Sequence, residues 1–278
     1  MTSVPNVALN NGVEIPQLGF GVFQIKPEDT VEAVAEALRI GYRHIDTAQM
    51  YRNERQVGQA IAQSGLDPAE IFVTSKLNNN RQSFDDALAA FDQTMADLGL
   101  ERLDLFLIHW PLPTVRDYVE TWRALERVYS EGRARSIGLS NFQPHHIRKL
   151  HAESEVPPAV NQIELHPYLT QDELRAFDAE HGIATEAWSP IAQGLVLNDP
   201  VILRLAETHG RTPAQVVLRW HLQLGNIVFP KSVDPQRMRE NFDVFGFELS
   251  ETDLGMISAL NRDERTGPDP DVFDYVPG

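Results

Sequence analysis

The sequence alternates short apolar runs with longer amphipathic stretches, and this alternation constrains the fold more than any other feature. Several of the short runs are apolar almost throughout, as in residues 103–108 (LDLFLI), which is typical of parallel strands buried on both faces. The longer stretches repeat apolar residues at helical spacing, as residues 31–38 do. The eight strand-like runs are residues 18–23, 43–48, 71–77, 103–110, 134–141, 159–166, 183–190 and 227–233.

Strands that alternate strictly with helices indicate βαβ units. The predicted helices span residues 29–40, 54–64, 83–98, 116–131, 144–152, 171–181, 200–209 and 213–224. Eight such units in 278 residues predict an α/β fold of the (β/α)8 TIM-barrel type. We expect one domain over residues 1–278.

Both ends of the chain extend this barrel. Residues 7–15 predict a β-hairpin around Asn11 and Gly12, lying across the barrel bottom. Asp234 is a predicted N-cap before a helix that starts at Pro235, and Ser250 is a predicted cap of a last helix. The remaining segment, residues 262–278, is rich in Gly, Pro and Asp and is predicted to be a loop.

Composition excludes several classes of protein. The chain has no cysteine, so disulfides, thiolate metal sites and cysteine nucleophiles are excluded. No histidine cluster has the spacing of metal ligands, and we expect no metal. The net charge of −16 argues against nucleic-acid binding. No signal peptide and no membrane span is recognised. We therefore expect a cytoplasmic monomer that acts on a small molecule.

Polar side chains end three successive strand-like runs. Asp46 ends the second run, Lys76 the third and His109 the fourth, while Tyr51 lies in the loop after Asp46. Since the active sites of such barrels lie at the carboxyl ends of the strands, these four side chains are candidates for a common site. A lone Asp–Lys pair is usually structural, but three such residues on adjacent strands favour a catalytic site.

The chemistry of this set indicates carbonyl reduction. The ordinary pKa of tyrosine, near ~10, is high for a general acid at neutral pH, and the Lys76 ammonium is expected to lower it. Asp46 would keep Lys76 charged, and His109 would hydrogen-bond a carbonyl oxygen while Tyr51 protonates it. No side chain donates hydride, so a nicotinamide cofactor is required.

Long segments of the sequence resemble the aldo-keto reductase family. They are residues 41–48 (GYRHIDTA) followed by Tyr51 and residues 53–54, residues 72–77 (FVTSKL), residues 106–111 (FLIHWP), residues 138–142 (GLSNF) and residues 230–232 (PKS). The resemblance covers residues 7–271, in the family's order, and is most marked to short bacterial members of the 2,5-diketo-D-gluconate reductase type. It implies a catalytic tetrad of Asp46, Tyr51, Lys76 and His109.

The cofactor is expected at the last strands of the barrel. No G-x-G-x-x-G motif follows a strand, which excludes a Rossmann site. Lys231 and Arg237 flank a predicted helix N-terminus, which is an anion site in an acidic protein. The resemblance assigns this site to the 2'-phosphate of NADPH or NADP+. Asp234 beside it would weaken that preference if it faced the phosphate, and would be harmless if it only capped the helix.

The amide and hydroxyl groups of Ser140, Asn141 and Gln162 suit a carboxamide, which needs both donors and acceptors. The resemblance places them on the nicotinamide amide and stacks Trp188 on its ring. The other cofactor contacts that it implies are Gly21, Val22, Asp46, Ser189, Ile191, Phe229, Ser232, Val233, Glu240 and Asn241.

The substrate pocket is less constrained. Its candidate lining residues are Phe23, Gln49, His109, Trp110 and the C-terminal tail. Asn78 stands where relatives usually carry tryptophan, so the pocket is expected to be open and polar. The expected substrates are small aldehydes, ketones and dicarbonyls.

Three alternatives remain open from the sequence. A Schiff-base lyase or aldolase would use Lys76 as nucleophile, which requires a depressed pKa. A metal hydrolase would use Asp46 and His109, although the first run lacks a His-x-His pair. A cofactor-binding sensor module would bind the nucleotide without useful turnover.

Overall fold

Eight parallel strands form the centre of the molecule in the computed structural model, which describes residues 4–278. The barrel strands are β3 (Phe20–Gly21), β4 (His44–Asp46), β5 (Phe72–Leu77), β6 (Leu103–Ile108), β7 (Ala134–Ser140), β8 (Val160–Glu164), β9 (Ala184–Trp188) and β10 (Ile227–Val228). Each strand pairs with the next one along the chain. A parallel bridge between Leu18 and Val228 joins the two ends of the sheet, so the (β/α)8 barrel is confirmed.

Ten α-helices, counted over residues 4–278, surround and extend this sheet. They are α1 (Pro27–Ile40), α2 (Glu54–Gln63), α3 (Phe84–Leu98), α4 (Tyr118–Ser130), α5 (Pro144–Glu153), α6 (Asp172–Glu180), α7 (Pro200–His209), α8 (Pro213–Gln223), α9 (Pro235–Phe242) and α10 (Glu251–Ser258). The predicted caps hold: Asp234 accepts hydrogen bonds from the backbone N–H groups of α9, and Ser250 caps α10. Helix α4 begins later than predicted because Asp117 caps it.

The hairpin is formed by β1 (Asn6–Ala8) and β2 (Glu14–Pro16), which pair antiparallel as predicted. Leu9 and Ile15 pack with Phe72, Leu105 and Leu107 in a cluster separate from the main core. Since these strand residues lie inside the barrel, the hairpin closes its amino-terminal end with apolar side chains. The opposite, carboxyl-terminal end is left for polar groups.

The first and last barrel strands are shorter than the sequence predicts. The run 18–23 contributes only β3 and the run 227–233 only β10. Gln24 has a φ of 61°, which turns the chain away after β3. Pro230 lacks the N–H that continued pairing of β10 would need. Both segments therefore leave the sheet at its carboxyl edge, beside the candidate site.

Candidate active site

Four predicted side chains meet at the carboxyl edge of the barrel. Asp46 ends β4, Lys76 lies in β5, His109 follows β6, and Tyr51 lies in a short 3-10 turn after β4. The Lys76 ammonium donates to Asp46 Oδ1 at 2.7 Å, to the Thr47 carbonyl at 2.9 Å and to Tyr51 Oη at 3.2 Å. Its three donors thus have three acceptors, which a buried ammonium requires.

Lys76 is fully buried and remains charged. Burial by itself lowers the pKa of an amine, but the Asp46 carboxylate and the Tyr51 oxygen outweigh it, so the pKa of Lys76 is raised. A Schiff-base nucleophile needs the opposite shift and a free amine. The environment of Lys76 therefore argues against a lyase.

Tyr51 differs from the sequence-based expectation in its pKa. Burial raises the pKa of Tyr51 above its ordinary value, and the Lys76 ammonium reduces this rise without reversing it. Lys76 acts in the expected direction, but the expected net lowering of the Tyr51 pKa was wrong, because burial outweighs Lys76 and could not be seen in the sequence. Tyr51 is consequently a neutral phenol at physiological pH, which still holds the proton that a general acid must give.

His109 is a neutral imidazole. Burial and the nearby Lys76 ammonium hold the pKa of His109 well below its usual range. Its ring lies edge-on to the Tyr51 ring, with centroids 5.8 Å apart. Within residues 4–278, Nδ1 of His109 has no hydrogen-bond partner. A neutral imidazole beside a phenol can hydrogen-bond a substrate oxygen without competing for the proton.

Gln162 and Glu186 continue the network beneath the tetrad. The amide nitrogen of Gln162 donates to Asp46 Oδ2 at 2.9 Å and to Glu186 Oε2 at 2.7 Å. Sequence reasoning missed Glu186, although an acidic residue inside the apolar run 183–190 was a signal that it faces other polar groups. Burial, together with the negative charge of Asp46, raises the pKa of Glu186 to about 8.

The residues predicted for a carboxamide form one connected group. Ser140 Oγ donates to the Gln162 carbonyl at 2.9 Å, and Asn141 Nδ2 donates to the His109 carbonyl at 2.9 Å. The Trp188 indole N–H donates to Asn141 Oδ1 at 2.8 Å. Asn141 has a φ of 67°, a left-handed conformation in which its side chain turns back across the strand ends.

The predicted anion site lies at the start of α9. Asp234 Oδ1 accepts from the N–H groups of Gln236 at 2.8 Å and Arg237 at 3.1 Å, so Asp234 is the cap of this helix. Lys231 and Arg237 are exposed, and neither has an ion-pair partner in the described part of the chain. Two free cations at a helix N-terminus fit a phosphate group.

The other residues predicted for the cofactor lie around the same edge. Gly21 and Val22 are buried at the end of β3, and Ser189 and Ile191 follow β9. A Cβ on Gly21 would approach the Phe229 carbonyl to 2.7 Å, so glycine allows this close passage of two chains. Four more residues complete the rim: Ser232 and Val233 after β10, and Glu240 and Asn241 in the last turn of α9.

The structure places the candidate substrate residues in different environments. Phe23 is 54% exposed, with its ring 5.0 Å from that of Tyr51. The ring of Trp110 packs on that of Phe273 in the C-terminal tail, with ring centroids 4.3 Å apart. Gln49, however, donates to the Ala90 carbonyl and the Thr94 hydroxyl at 2.8 Å each and accepts from the Asn78 N–H. Both ends of its amide are used within the fold, which argues against a substrate contact.

The tail is anchored beside the site. Glu164, at the end of β8, accepts from the N–H groups of Thr266 and Gly267. A Cβ on Gly267 would collide with the outer carbons of the Trp188 indole, so the tail packs closely against that ring. Asn79 donates to the Tyr275 carbonyl at 2.9 Å. The tail has no helix or strand, as predicted, and forms one wall of the site.

The loop after β5 adds polar groups to this wall. The side-chain oxygens of Asn78, Asn79, Asn80 and Gln82 are buried and lack partners among the described residues. Since these oxygens are shielded from solvent, they are also out of reach of a ligand, and they are a cost to the fold. The open, polar pocket expected from the sequence stays a prediction.

One trio of possible metal ligands occurs in residues 4–278, away from the tetrad: His145, His146 and Asp271. His146 Nδ1 accepts from the Gln143 N–H at 3.1 Å. Its proton must therefore be on Nε2, the atom that faces Asp271 at 3.5 Å. With Nδ1 occupied and Nε2 protonated, His146 has no free lone pair for a metal. Over the same residues, no helix is both long and apolar enough to span a bilayer.

A (β/α)8 barrel whose carboxyl edge holds a buried acid–base cluster and an anion site is an enzyme that transforms small molecules. The chain belongs to the aldo/keto reductase family, whose model matches residues 17–262, and is an oxidoreductase of that family.

Three similar proteins support this assignment. Glyoxal reductase of Bacillus subtilis (strain 168) is 49% identical over 266 residues, which cover 95% of this chain and 96% of the relative. Methylglyoxal reductase DkgA of Escherichia coli (strain K12) is 46% identical over 270 residues, covering 96% and 97%. A crystal structure of a Gox0644 mutant in complex with NADPH has a TM-score of 0.95 at 45% identity, covering 99% and 100%.

Proposed function

We propose that the protein uses NADPH to reduce small aldehydes, ketones and dicarbonyls to alcohols. The observation that carries this proposal is a buried set of hydrogen bonds that links Tyr51 through Lys76 to Asp46, with neutral His109 beside it. Membership of the aldo/keto reductase family and the NADPH complex of a structural neighbour support the same chemistry.

In the proposed mechanism a nicotinamide cofactor, when bound, would supply the hydride that the carbonyl carbon needs. His109 orients the carbonyl oxygen, and Tyr51 donates its phenolic proton to that oxygen as negative charge develops there. Lys76 stabilises the phenolate that remains, because its ammonium is 3.2 Å from Tyr51 Oη. Asp46 keeps Lys76 charged and fixes its position.

The chain's own groups fit the cofactor. We assign the 2'-phosphate to Lys231 and Arg237 and the carboxamide to Ser140, Asn141 and the side-chain oxygen of Gln162. The amide hydrogens of Asn141 are used within the fold, so its contact would be made by the second lone pair of Oδ1, beside the Trp188 N–H. Trp188 would stack on the nicotinamide ring. The remaining predicted contacts, on β3, after β9 and on α9, are assigned to the rest of the nucleotide.

Small dicarbonyls are the proposed substrate class. Relatives named glyoxal reductase and methylglyoxal reductase support it. The decisive assay is NADPH oxidation against a panel of aldehydes, ketones and dicarbonyls. Methylglyoxal and glyoxal should be turned over faster than unbranched alkanals of similar size.

The same panel tests the alternatives. A negligible rate on every carbonyl, with intact NADPH binding, would favour a sensor module over a reductase. Trapping of a carbonyl substrate on Lys76 by borohydride would favour the lyase, which the raised pKa of Lys76 opposes.

Arg237→Ala is expected to weaken NADPH binding by about 1.5–3 kcal/mol, roughly 10- to 150-fold, because a charge-assisted contact to the 2'-phosphate is lost. NADH lacks that phosphate, so its affinity should change little. Both dissociation constants are measured by fluorescence titration. Equal losses for the two cofactors would overturn the assignment.

Arg239→Ala is the matched control for this experiment. Arg239 lies on the same helix but pairs with Glu36 of α1. Its removal takes away the same charge from α9 without touching the proposed phosphate site. The ratio of NADPH to NADH affinity should therefore stay near the wild-type value.

Trp188→Leu is expected to abolish most of the fluorescence quench on NADPH binding and to weaken that binding. The reason is that the proposed stacking partner of the nicotinamide is removed, together with the hydrogen bond from the indole to Asn141. Trp122 and Trp220 are buried in the core and serve as an internal background signal. If the quench and the affinity both survive, the stacking role is wrong.

We further propose that the protein is a cytoplasmic monomer and that residues 1–278 form one domain. A net charge of −16 opposes self-association, and a reductase that consumes NADPH must work where NADPH is regenerated. Sedimentation of the purified chain tests the monomer, and fractionation of its source cells tests the cytoplasmic location.

A further inference from the structure

Glu186 is a buried carboxyl group for which the proposed mechanism has no use. It lies in β9, fully enclosed in the barrel interior, and its Oε1 has no partner among residues 4–278. Its sheet neighbours are Gln162 of β8 and Ile227 of β10. The charged groups that act on it are Asp46 of β4 and Lys76 of β5.

Gln162 connects Glu186 to the tetrad. An amide nitrogen carries two hydrogens, and here one bonds Asp46 Oδ2 and the other Glu186 Oε2. The other oxygen of Asp46 accepts from Lys76 at 2.7 Å, and Lys76 donates to Tyr51 at 3.2 Å. One unbroken chain of hydrogen bonds therefore runs from Glu186 to the proposed proton donor.

The net charge of this hydrogen-bonded network depends on whether Glu186 carries its proton. Asp46 and Lys76 cancel each other, so the interior is neutral while Glu186 is protonated and carries one negative charge when it is ionised. A reduced nicotinamide ring is neutral and an oxidised one is positive. The ionised form of Glu186 would thus favour the oxidised cofactor, and the protonated form would not.

We propose that Glu186 is a positioning residue of this site: through Gln162 it holds Asp46 in place, and by gaining or losing one proton it sets the charge that the barrel interior presents to the nicotinamide. This inference rests on the proposed binding of a nicotinamide nucleotide. It makes the balance between reduced and oxidised cofactor depend on pH near neutrality, since burial and Asp46 raise the pKa of Glu186 to about 8.

The first test measures the affinity of the wild-type protein for NADP+ and for NADPH from pH 6.5 to 9.5. The ratio of the two cancels the titration of their shared phosphates. As Glu186 loses its proton, the preference for NADP+ should rise by about three- to thirtyfold, the effect of one unit charge at a separation of roughly 8–25 Å and an effective dielectric constant of about 20. A ratio that is flat with pH in the wild type overturns the proposal.

Glu186→Gln locates the effect. Glutamine keeps the shape and can still accept from Gln162, but it cannot ionise. The affinity ratio of this variant should not change between pH 6.5 and 9.5. A pH dependence equal to that of the wild type would assign the titration to another group and overturn the proposal.

Stability supplies a second readout that needs no cofactor. The folded protein retains the Glu186 proton where the unfolded chain has lost it, so this group makes the free energy of unfolding fall as the pH rises from about 4.5 to about 8. Glu186→Gln should flatten the pH dependence of urea unfolding in that window. An unchanged slope would mean that Glu186 is ionised in the folded state.

Asp178→Asn is the matched control. Asp178 is a buried carboxyl of α6 whose pKa burial also raises to about 8, but its partner is Asn161, outside the tetrad network. This variant should flatten the stability profile and leave the NADP+ to NADPH ratio as pH-dependent as in the wild type. The ratio is measured without turnover, so a flat ratio with active reduction refutes this inference alone. A pH-dependent ratio without reduction of any carbonyl refutes the proposed function alone.

Discussion

Tyr51→Phe is expected to reduce turnover of any carbonyl substrate by ~10²–10⁴-fold while NADPH binds within about twofold of the wild-type affinity. The substitution deletes one oxygen and nearly preserves shape. Without that oxygen the alkoxide formed by hydride transfer has no proton source. Tyr51 is assigned to the carbonyl and makes no proposed contact with the nucleotide. Steady-state kinetics and fluorescence titration of the same preparation measure both quantities.

Tyr118→Phe is the control for this prediction. Its phenolic oxygen is also buried and donates to the His146 carbonyl at 3.2 Å, far from the tetrad. Loss of that hydrogen bond should cost about 1 kcal/mol of stability and leave turnover near wild type. If Tyr51→Phe behaved like Tyr118→Phe, and kept more than about a tenth of wild-type turnover, Tyr51 would be a structural residue.

The pH dependence of turnover should reflect the raised pKa of Tyr51. Burial holds its proton through neutral pH, and Lys76 only moderates this. The sequence indicates the ammonium but gives no measure of burial, and for this reason the expected direction of the shift was wrong. The role of proton donor does not depend on that direction, because the phenol must be protonated before it can act.

The barrel could be predicted because its cause is local. Apolar runs such as β6 and the amphipathic stretches between them are recognised directly in the sequence. Because parallel strands need crossover connections, strands that alternate with helices predict a parallel sheet. The lengths of β3 and β10 could not be predicted in this way. They depend on where the two ends of the sheet meet, at the bridge between Leu18 and Val228, which are 210 residues apart.

The tetrad could be predicted for a similar reason. Asp46, Lys76 and His109 end neighbouring strands, and parallel strands bring their carboxyl ends together. An acidic residue inside an apolar run indicated that Glu186 faces polar groups, but its link to Asp46 could not be predicted, since that link passes through Gln162, which is 116 residues from Asp46 in sequence. Gln49 is a residue for which the sequence indicated a role in the pocket that the structure argues against. It follows β4, but its side-chain amide donates both of its hydrogens to acceptors in helix α3.

The ion pair of Lys76 and Asp46 is expected to be the interaction whose loss costs most. The two side chains are almost completely buried, at 0% and 2% exposure. A buried pair gains little over a well-packed apolar pair, but removal of one partner leaves an uncompensated charge. Asp46→Asn should therefore lower the free energy of unfolding by about 3–5 kcal/mol, and it should also reduce turnover strongly because Lys76 loses its orientation.

Lys76→Met, alone and combined with Asp46→Asn in a double variant, distinguishes the interaction between the two charges from the cost of burying each of them. Alone, it leaves Asp46 buried without a counter-charge and should cost about as much stability as Asp46→Asn. In the double variant no charge remains unpaired, so its loss should be smaller than the sum of the two single losses by about 1–3 kcal/mol. Urea unfolding at neutral pH measures all four proteins, and additive losses would show that the two charges do not interact. The raised pKa of Lys76 fixes the sign of the pH dependence on the alkaline side: the contribution of the Lys76 charge is fully present below the ordinary pKa of lysine and is lost as the pH rises beyond it. Asp46→Asn should lose that alkaline dependence while its turnover stays low at every pH.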